Sequence, residues 1–144
     1  MHPARWSIAL SLGLRQGEAL GLLWSDIDLY EGMPRVRRSA QPHTWAHACP
    51  TIYGQPSCGS SRCADCDRRH GGGLVLVEPK TKASKRTIVL PVIDELRAHR
   101  ADVNQRRLAH GVGWDTTYDL VFPSRVDGLI DAARDNTEWN RLFA

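Results

Sequence analysis

Gly13-Leu14-Arg15-Gln16-Gly17-Glu18-Ala19-Leu20-Gly21-Leu22-Leu23-Trp24-Ser25-Asp26-Ile27-Asp28 is the stretch on which the reading of this 144-residue chain turns. Gly13 is a stop for a helix predicted from Pro3 to Leu14. Pro3 suits its first turn, where a backbone N–H would lack a partner anyway. Trp6, Ala9 and Leu10 recur in it at helical spacing. A second helix is predicted from about Gln16 to Trp24, with Leu20, Leu23 and Trp24 on one face and Arg15, Glu18 and Leu22 along another. Ser25 to Asp28 leaves that helix, and Glu31-Gly32 makes a turn. Taken alone, Arg15 and Glu18 amount to an exposed helical ion pair worth roughly 0.3–0.5 kcal/mol.

Working outward, Val36 to Gln41 reads as a strand. Leu74 to Glu78 is a β-branched run and a second strand, and Arg86 to Leu90 is a third, ended by Pro91. Thr81 to Ser84 looks like a turn, so the last two strands are expected to form a hairpin with Lys80 near its tip. Val92 to His110 is a long amphipathic helix with Val92, Ile93, Leu96 and Val103 inward. Leu120-Val121-Phe122 is a short buried extended piece, and Asp135-Asn136-Thr137 is a cap for a last helix. The fold class is α+β, mainly helical, with a small three-stranded antiparallel sheet.

Composition narrows the function classes. At 42% hydrophobic and 24% charged, the chain has the balance of a folded domain, and its length suits one domain. No apolar run approaches the ~18 residues that span a bilayer. The N-terminus carries no charged-then-apolar secretory signal, so the expectation is a cytoplasmic protein with no membrane partner. The net charge of +3 is mild, but it is unevenly placed. All three lysines, Lys80, Lys82 and Lys85, fall within six residues, with Arg86 next to them. From Arg62 to Arg107 there are 11 basic and 6 acidic side chains. Such a patch can hold phosphate, although a lysine-rich turn taken by itself is better read as a solvated hairpin tip.

Residues 42 to 73 differ in character, with four Cys, three His and three Pro but little aliphatic content. A stretch of that length without a core calls for another source of order. The spacing is Cys49-x8-Cys58-x4-Cys63-x2-Cys66, flanked by His43, His47 and His70. In a reduced chain such a cluster points to metal before disulfide. Cys63 and Cys66 make half of a tetrahedral zinc site that Cys49 and Cys58 can complete, and a structural zinc would give the stretch its shape. The other reading is a flexible insertion with free thiols.

The opening stretch and Pro79-Lys80-Thr81-Lys82-Ala83-Ser84-Lys85-Arg86-Thr87-Ile88-Val89-Leu90-Pro91 together resemble the tyrosine recombinases, the phage integrase family. The first is similar to that family's first catalytic-arginine box and the second to its β-hairpin with the catalytic lysine. Asp119-Leu120-Val121-Phe122-Pro123-Ser124 also suits the family. The resemblance implies an incomplete recombinase catalytic domain: residues 1–41 carry the first-arginine helices and first strand, 42–73 the Cys/His-rich insertion, and 74–144 the lysine hairpin, long helix and a shortened C-terminal part. Similar insertions followed by Gly-Gly-Gly-Leu-Val occur in some actinobacterial phage integrases.

The chemistry implied is DNA cleavage by a tyrosine that attacks a phosphodiester, with no cofactor in the reaction. Arg15 matches the arginine whose paired N–H donors stabilise the charge gathering on the phosphate oxygens, and Glu18 would orient it. Lys80 matches the general acid that protonates the leaving 5′ oxygen, with Lys82 as its rival. Lys85 and Arg86, like Lys82, would meet the DNA backbone. The partner implied is double-stranded DNA, on whose paired sites complete relatives assemble as tetramers. The family's later His-x-x-Arg box and nucleophilic tyrosine have no match, because no His-x-x-Arg follows Phe122 and the tyrosines are Tyr30, Tyr53 and Tyr118. The expectation is therefore a recombinase fragment that is inactive alone. Two other readings stand beside it: a non-catalytic, zinc-stabilised nucleic-acid-binding module, and a gene remnant without function.

Overall fold

The computed structural model of the chain describes residues 3–78, 86–87, 93–114, 116–125 and 128–142. The chain divides into two compact units, one made of residues 1–40 with 76–144 and the other of Gln41–Val75.

The first unit begins with α1, Pro3–Leu12. Gly13 ends it with φ +56°, a left-handed conformation that glycine adopts without a Cβ penalty. The buried stripe of α1 is Ala4, Ile8 and Leu12, four residues apart, whereas Leu10 is 70% exposed. The inward face is thus rotated from the one that Trp6, Ala9 and Leu10 predict. α2 spans Gln16–Leu20, shorter than the helix to Trp24 that periodicity predicts. Tertiary pairing ends it: Leu23 bridges Leu120, the Trp24 N–H donates to the Asp119 carbonyl at 2.9 Å, and the Val121 N–H donates to Leu22 at 2.9 Å. These extended bonds are incompatible with helical φ/ψ at Leu23, which has ψ 151°.

The crossing of residues 22–24 with 120–122 lies at the centre of the core. Leu22, Trp24, Val121 and Phe122 pack there with Ala4, Ile8 and Leu12 of α1 and with Leu96 of α3, Ile93–His110. β1 (Ile27–Asp28) and β2 (Met33–Val36) pair antiparallel, Ile27 opposite Pro34. The turn between them is closed by Asp28 Oδ1, which accepts the N–H groups of Tyr30 and Glu31. β2 also pairs with β7 (Arg86–Thr87), giving the three-stranded order β1-β2-β7. Where one strand from Val36 to Gln41 is predicted there are two, β2 and β3 (Ser39–His43), and β3 pairs with β6 (Gly73–Val77). Arg37 and Arg38 fall in the break. Both reach back to the buried Asp26 carboxylate, Arg38 at 2.6 Å and Arg37 at 3.6 Å. The tip of the expected hairpin, 79–85, lies outside the described residues, as do 88–92.

α4 spans Ala132–Leu142. Its cap is Asp131, whose Oδ1 accepts the Ala133 N–H at 2.8 Å, and not Asp135 to Thr137. Asp135 lies a full turn inside, 1% exposed, with Oδ1 2.6 Å from Nη2 of the equally buried Arg5. Glu138 adds a second carboxylate at 3.4 Å, and Trp6 meets Trp139 at 4.7 Å between centroids. Removing one partner of such a buried pair costs about 3–5 kcal/mol, and without Asp135 the more distant Glu138 compensates Arg5 only in part. Asp135→Ala is therefore expected to destabilise the chain by about that much in urea. A loss under about 1 kcal/mol would mean the pair is dispensable.

His99 of α3 is the polar member of the core, 7% exposed, with its ring 5.1 Å from that of Phe122. Its Nε2 donates to the Val121 carbonyl at 2.6 Å. Burial pushes its pKa below 6.5, and Arg106 adds to this, outweighing the Val121 carbonyl, Asp102 and Glu95. A depressed folded pKa means that the unfolded chain binds the proton first. The stabilisation is fully present above the unfolded value and is lost as pH falls from it through the folded one. The melting temperature should fall from about pH 7 to about pH 5, and His99→Gln should flatten that slope. An unchanged slope in the variant would show that the proton is taken up elsewhere.

Candidate functional site

Two constellations carry chemistry, one in each unit. The first is built around Arg15, the residue that precedes α2. Its backbone is extended, φ −67° and ψ 150°, so it starts the helix from outside. Glu18, one turn on and 4% exposed, turns its carboxylate back: Oε2 accepts the Arg15 N–H at 3.0 Å, and Oε1 lies 3.7 Å from Arg15 Nη1. This reciprocal use of a third-position glutamate is one half of a capping box. The guanidinium itself is 80% exposed.

Gln16 fixes the next residue. Its Nε2 donates to Asp135 Oδ2 and Asn136 Oδ1, each at 2.8 Å, and reaches the Ala132 carbonyl at 3.2 Å. Gly17 and Gly21, four apart on α2, allow β3 to pass close by. A Cβ on Gly17 would lie 2.5 Å from Ser39 Oγ and 2.8 Å from the Ala40 carbonyl oxygen. A Cβ on Gly21 would lie 2.8 Å from the Ala40 nitrogen. The result is a peptide carrying an exposed cation, held from below by the Glu18 carboxylate and at the side by α4. Such an arrangement can hold an oxyanion.

Lys80, Lys82 and Lys85 lie outside the described residues. Arg86 stands in β7 opposite Val36, with Thr87 opposite Arg35. That register brings Arg86 beside the run Arg35 to Arg38, so β2 and its continuation carry cations that a count from Arg62 to Arg107 leaves out.

The second constellation lies in residues 41–75. His47, Cys49, Cys58 and Cys66 offer one ligand atom each, all within 4.8 Å of one another, and could hold a metal ion. Cys63 is not in the group, although its spacing to Cys66 predicts it, and His47 stands where the sequence reading sets Cys63. The local folding explains both facts. β4 (Thr51–Ile52) and β5 (Gln55–Pro56) pair with Ile52 opposite Gln55 and Thr51 opposite Pro56. Tyr53 and Gly54, with φ 50° and 77°, form the two-residue turn. The Ser57 N–H to Pro50 carbonyl bond of 2.8 Å extends the pairing, and one step further sets Cys49 opposite Cys58. The eight intervening residues are thus a hairpin.

On the other side, Ala46 pairs with His70, and the Ala48 N–H donates to Arg68. This holds residues 46–49 extended, where alternate side chains share a face, so His47 and Cys49 point the same way. Trp45, two residues earlier, lies under the Arg69 guanidinium at 4.9 Å, and Gly72 packs against its ring too closely for any Cβ. Cys63 begins the single helical turn Cys63–Asp65, and Cys66 closes it with its N–H on the Cys63 carbonyl.

His47 Nδ1 lies 3.6 Å from Cys58 Sγ and 3.8 Å from Cys49 Sγ. The Cys58 N–H, and then the Cys58 and Cys66 thiols and Ser57, lower the Cys49 pKa to about 6 against the opposing effect of burial. Cys58 accepts from the Ser60 N–H, which acts downward, but desolvation and donation toward Cys49 and Cys66 push its thiol up.

No helix among the described residues is long and apolar enough to cross a membrane. No family model matches the chain. No solved structure matches it. Among curated proteins it is similar to an integrase of Saccharopolyspora erythraea, 28% identical over 166 aligned residues that cover 96% of this chain and 38% of that protein. It is also similar to a XerC-like tyrosine recombinase of Caldanaerobacter subterraneus subsp. tengcongensis, 30% identical over 136 residues that cover 90% of this chain and 30% of that protein. The chain spans about a third of the length of these relatives. Matched almost from end to end by a segment of two such proteins, the chain belongs to the tyrosine recombinase, or integrase, family.

Proposed function

We propose that this chain is the phosphate-holding part of a site-specific DNA recombinase, acting on double-stranded DNA in the cytoplasm. The observation that carries the reading is Arg15, an exposed guanidinium on a peptide fixed by Glu18 and by the neighbouring Gln16. A long flexible cation loses side-chain entropy when it grips a ligand, and a fixed backbone reduces what must be ordered. A guanidinium so placed offers paired N–H donors to the non-bridging oxygens of a phosphodiester, where charge grows in the transition state.

In strand cleavage of this kind a tyrosine oxygen bonds to phosphorus and the P–O5′ bond breaks. The tyrosine proton leaves to a base, and O5′ takes a proton from a general acid, here Lys80. Lys82, Lys85 and Arg86 neutralise backbone phosphates. No cofactor enters these steps, and a zinc ion in the cysteine-rich unit is structural. The family's nucleophile follows a His-x-x-Arg box, and after Phe122 these 144 residues contain neither. By themselves they bind DNA without cutting it, while complete relatives act as tetramers on paired sites.

The test joins this chain to the remaining segments of the Saccharopolyspora erythraea integrase and measures cleavage of that integrase's site. Arg15→Ala and Lys80→Ala should each abolish cleavage and largely spare binding. Lys82→Ala should only weaken binding and lower the salt slope by about 0.9. Cleavage that survives Arg15→Ala sinks the reading, and cleavage lost with Lys82→Ala but kept with Lys80→Ala reassigns the general acid. The 144-residue chain alone should form no covalent adduct with a nicked suicide duplex. An adduct abolished by Tyr118→Phe would overturn its inactivity.

A further inference from the structure

The unit Gln41–Val75 is short of what normally holds a fold together. Its one buried residue is Cys66, and Trp45, its largest side chain, is only half-buried. Domains of this size rarely supply enough apolar burial on their own and add disulfides or a metal. No disulfide links the four cysteines. Yet three of them converge with a histidine at one point, brought there by two separate pairings and a turn.

The distances at that point have the scale of a coordination sphere. With Zn–S near 2.3 Å and Zn–N near 2.0–2.1 Å, a regular tetrahedron has N···S edges of about 3.6 Å and S···S edges of about 3.8 Å. His47 Nδ1 stands 3.6 Å from Cys58 Sγ and 3.8 Å from Cys49 Sγ. No pair in the group exceeds 4.8 Å, so a contraction of about 1 Å closes its widest edge. Thiol-to-imidazole hydrogen bonding does not account for the set. A single Nδ1 lone pair accepts one thiol proton, whereas two thiols approach it nearly equally and a third lies close by.

Resting on the structural-zinc reading above, we propose that the ligands are His47 through Nδ1 with the thiolates of Cys49, Cys58 and Cys66, and that Cys63 is not a ligand. Three thiolates and one imidazole form a closed tetrahedral set of the structural type, with no open position for a substrate. Soft sulfur donors in this geometry select zinc over magnesium or calcium. Binding deprotonates the three thiols and releases those protons to solvent. The ion then links the base of the 49–58 hairpin to the extended segment 46–49 and to the turn at 63–66, which are the three pieces of the unit that lack a core to join them. Apolar burial is not replaced by a larger loop network; a single ion takes its place.

The experiment uses the full 144-residue chain, purified without chelator, with zinc measured by elemental analysis and the site probed by the visible absorption of bound Co2+. The wild type should hold one zinc per chain and give tetrahedral cobalt–thiolate absorption. Cys63→Ser should keep both. His47→Ala and Cys58→Ser should each lose zinc affinity by more than the 10–100-fold typical of losing a ligand's supporting partner. His47→Cys, which restores a fourth soft donor, should recover the ion and guards against mere misfolding of the alanine variant. Hydrogen exchange on zinc removal should accelerate at Ala46, Ala48 and Ser57 and leave Val121 protected. Zinc near zero in the wild type, or a Cys49–Cys58 disulfide there, overturns the zinc reading itself. Zinc kept by His47→Ala and lost by Cys63→Ser leaves the zinc reading standing and overturns this ligand set in favour of four cysteines. Neither result bears on cleavage by the joined protein, so the DNA reading fails or stands separately.

Discussion

The buried charge pair between Arg5 and Asp135 is the constraint on which the first unit depends. It joins residues 130 positions apart, with both side chains 1% exposed. Burying two charges is expensive, and packed apolar residues of similar volume would often be at least as stabilising. What an apolar contact would lack is direction. Asp135 has the Arg5 guanidinium 2.6 Å from Oδ1 as its counter-ion and accepts the Gln16 amide on Oδ2, so a single carboxylate fixes α4 against both α1 and the start of α2. Arg15 is the residue next to that clamp. The exposed cation is thus positioned by a charge that is itself wholly withdrawn from water.

The second unit uses another economy. Its strands are only two residues long at β4 and β5, and its interior contains one cysteine. Short ladders of that kind are marginal in water without a packed face. Each pairing nonetheless delivers a donor to one place. The hairpin turn sets Cys49 against Cys58, and the extended segment adds His47 by its two-residue period.

Much of the first unit was legible because its signals are local. Gly13 ends α1 within two residues of the expected stop, α3 lies where its periodicity puts it, and Leu120 to Phe122 is fully buried as its apolar run suggests. What could not be read depends on partners distant in sequence. Periodicity continues α2 to Trp24, but the strand-like bonds to Asp119 and Val121 outweigh the propensity of four residues. Asp135 has the composition of a cap and is used as a buried counter-ion, because Arg5 is there to meet it. Glu18 could be paired with Arg15 from spacing. Its burial could not be foreseen, nor could its use of the backbone N–H. Among the cysteines, Cys63-x2-Cys66 is the familiar spacing. Only the register of β4 and β5, together with the extended run from Ala46, shows that the x8 interval is a hairpin and that His47 lies on its inner side.

Gly17 and Gly21 have a consequence for how this chain tolerates change. Neither has a side chain with which to touch a ligand, and each is within 3 Å of contact at its missing Cβ with Ser39 or Ala40. The smallest replacement, a methyl group, must displace β3 or tilt α2, and tilting α2 swings Arg15 at its head. A mutational scan scored only by where Arg15 is held would therefore rank these two positions alongside Glu18 and Gln16, which touch it or its neighbour. Their importance would be mechanical: they set the clearance of the bearing in which Arg15 is mounted.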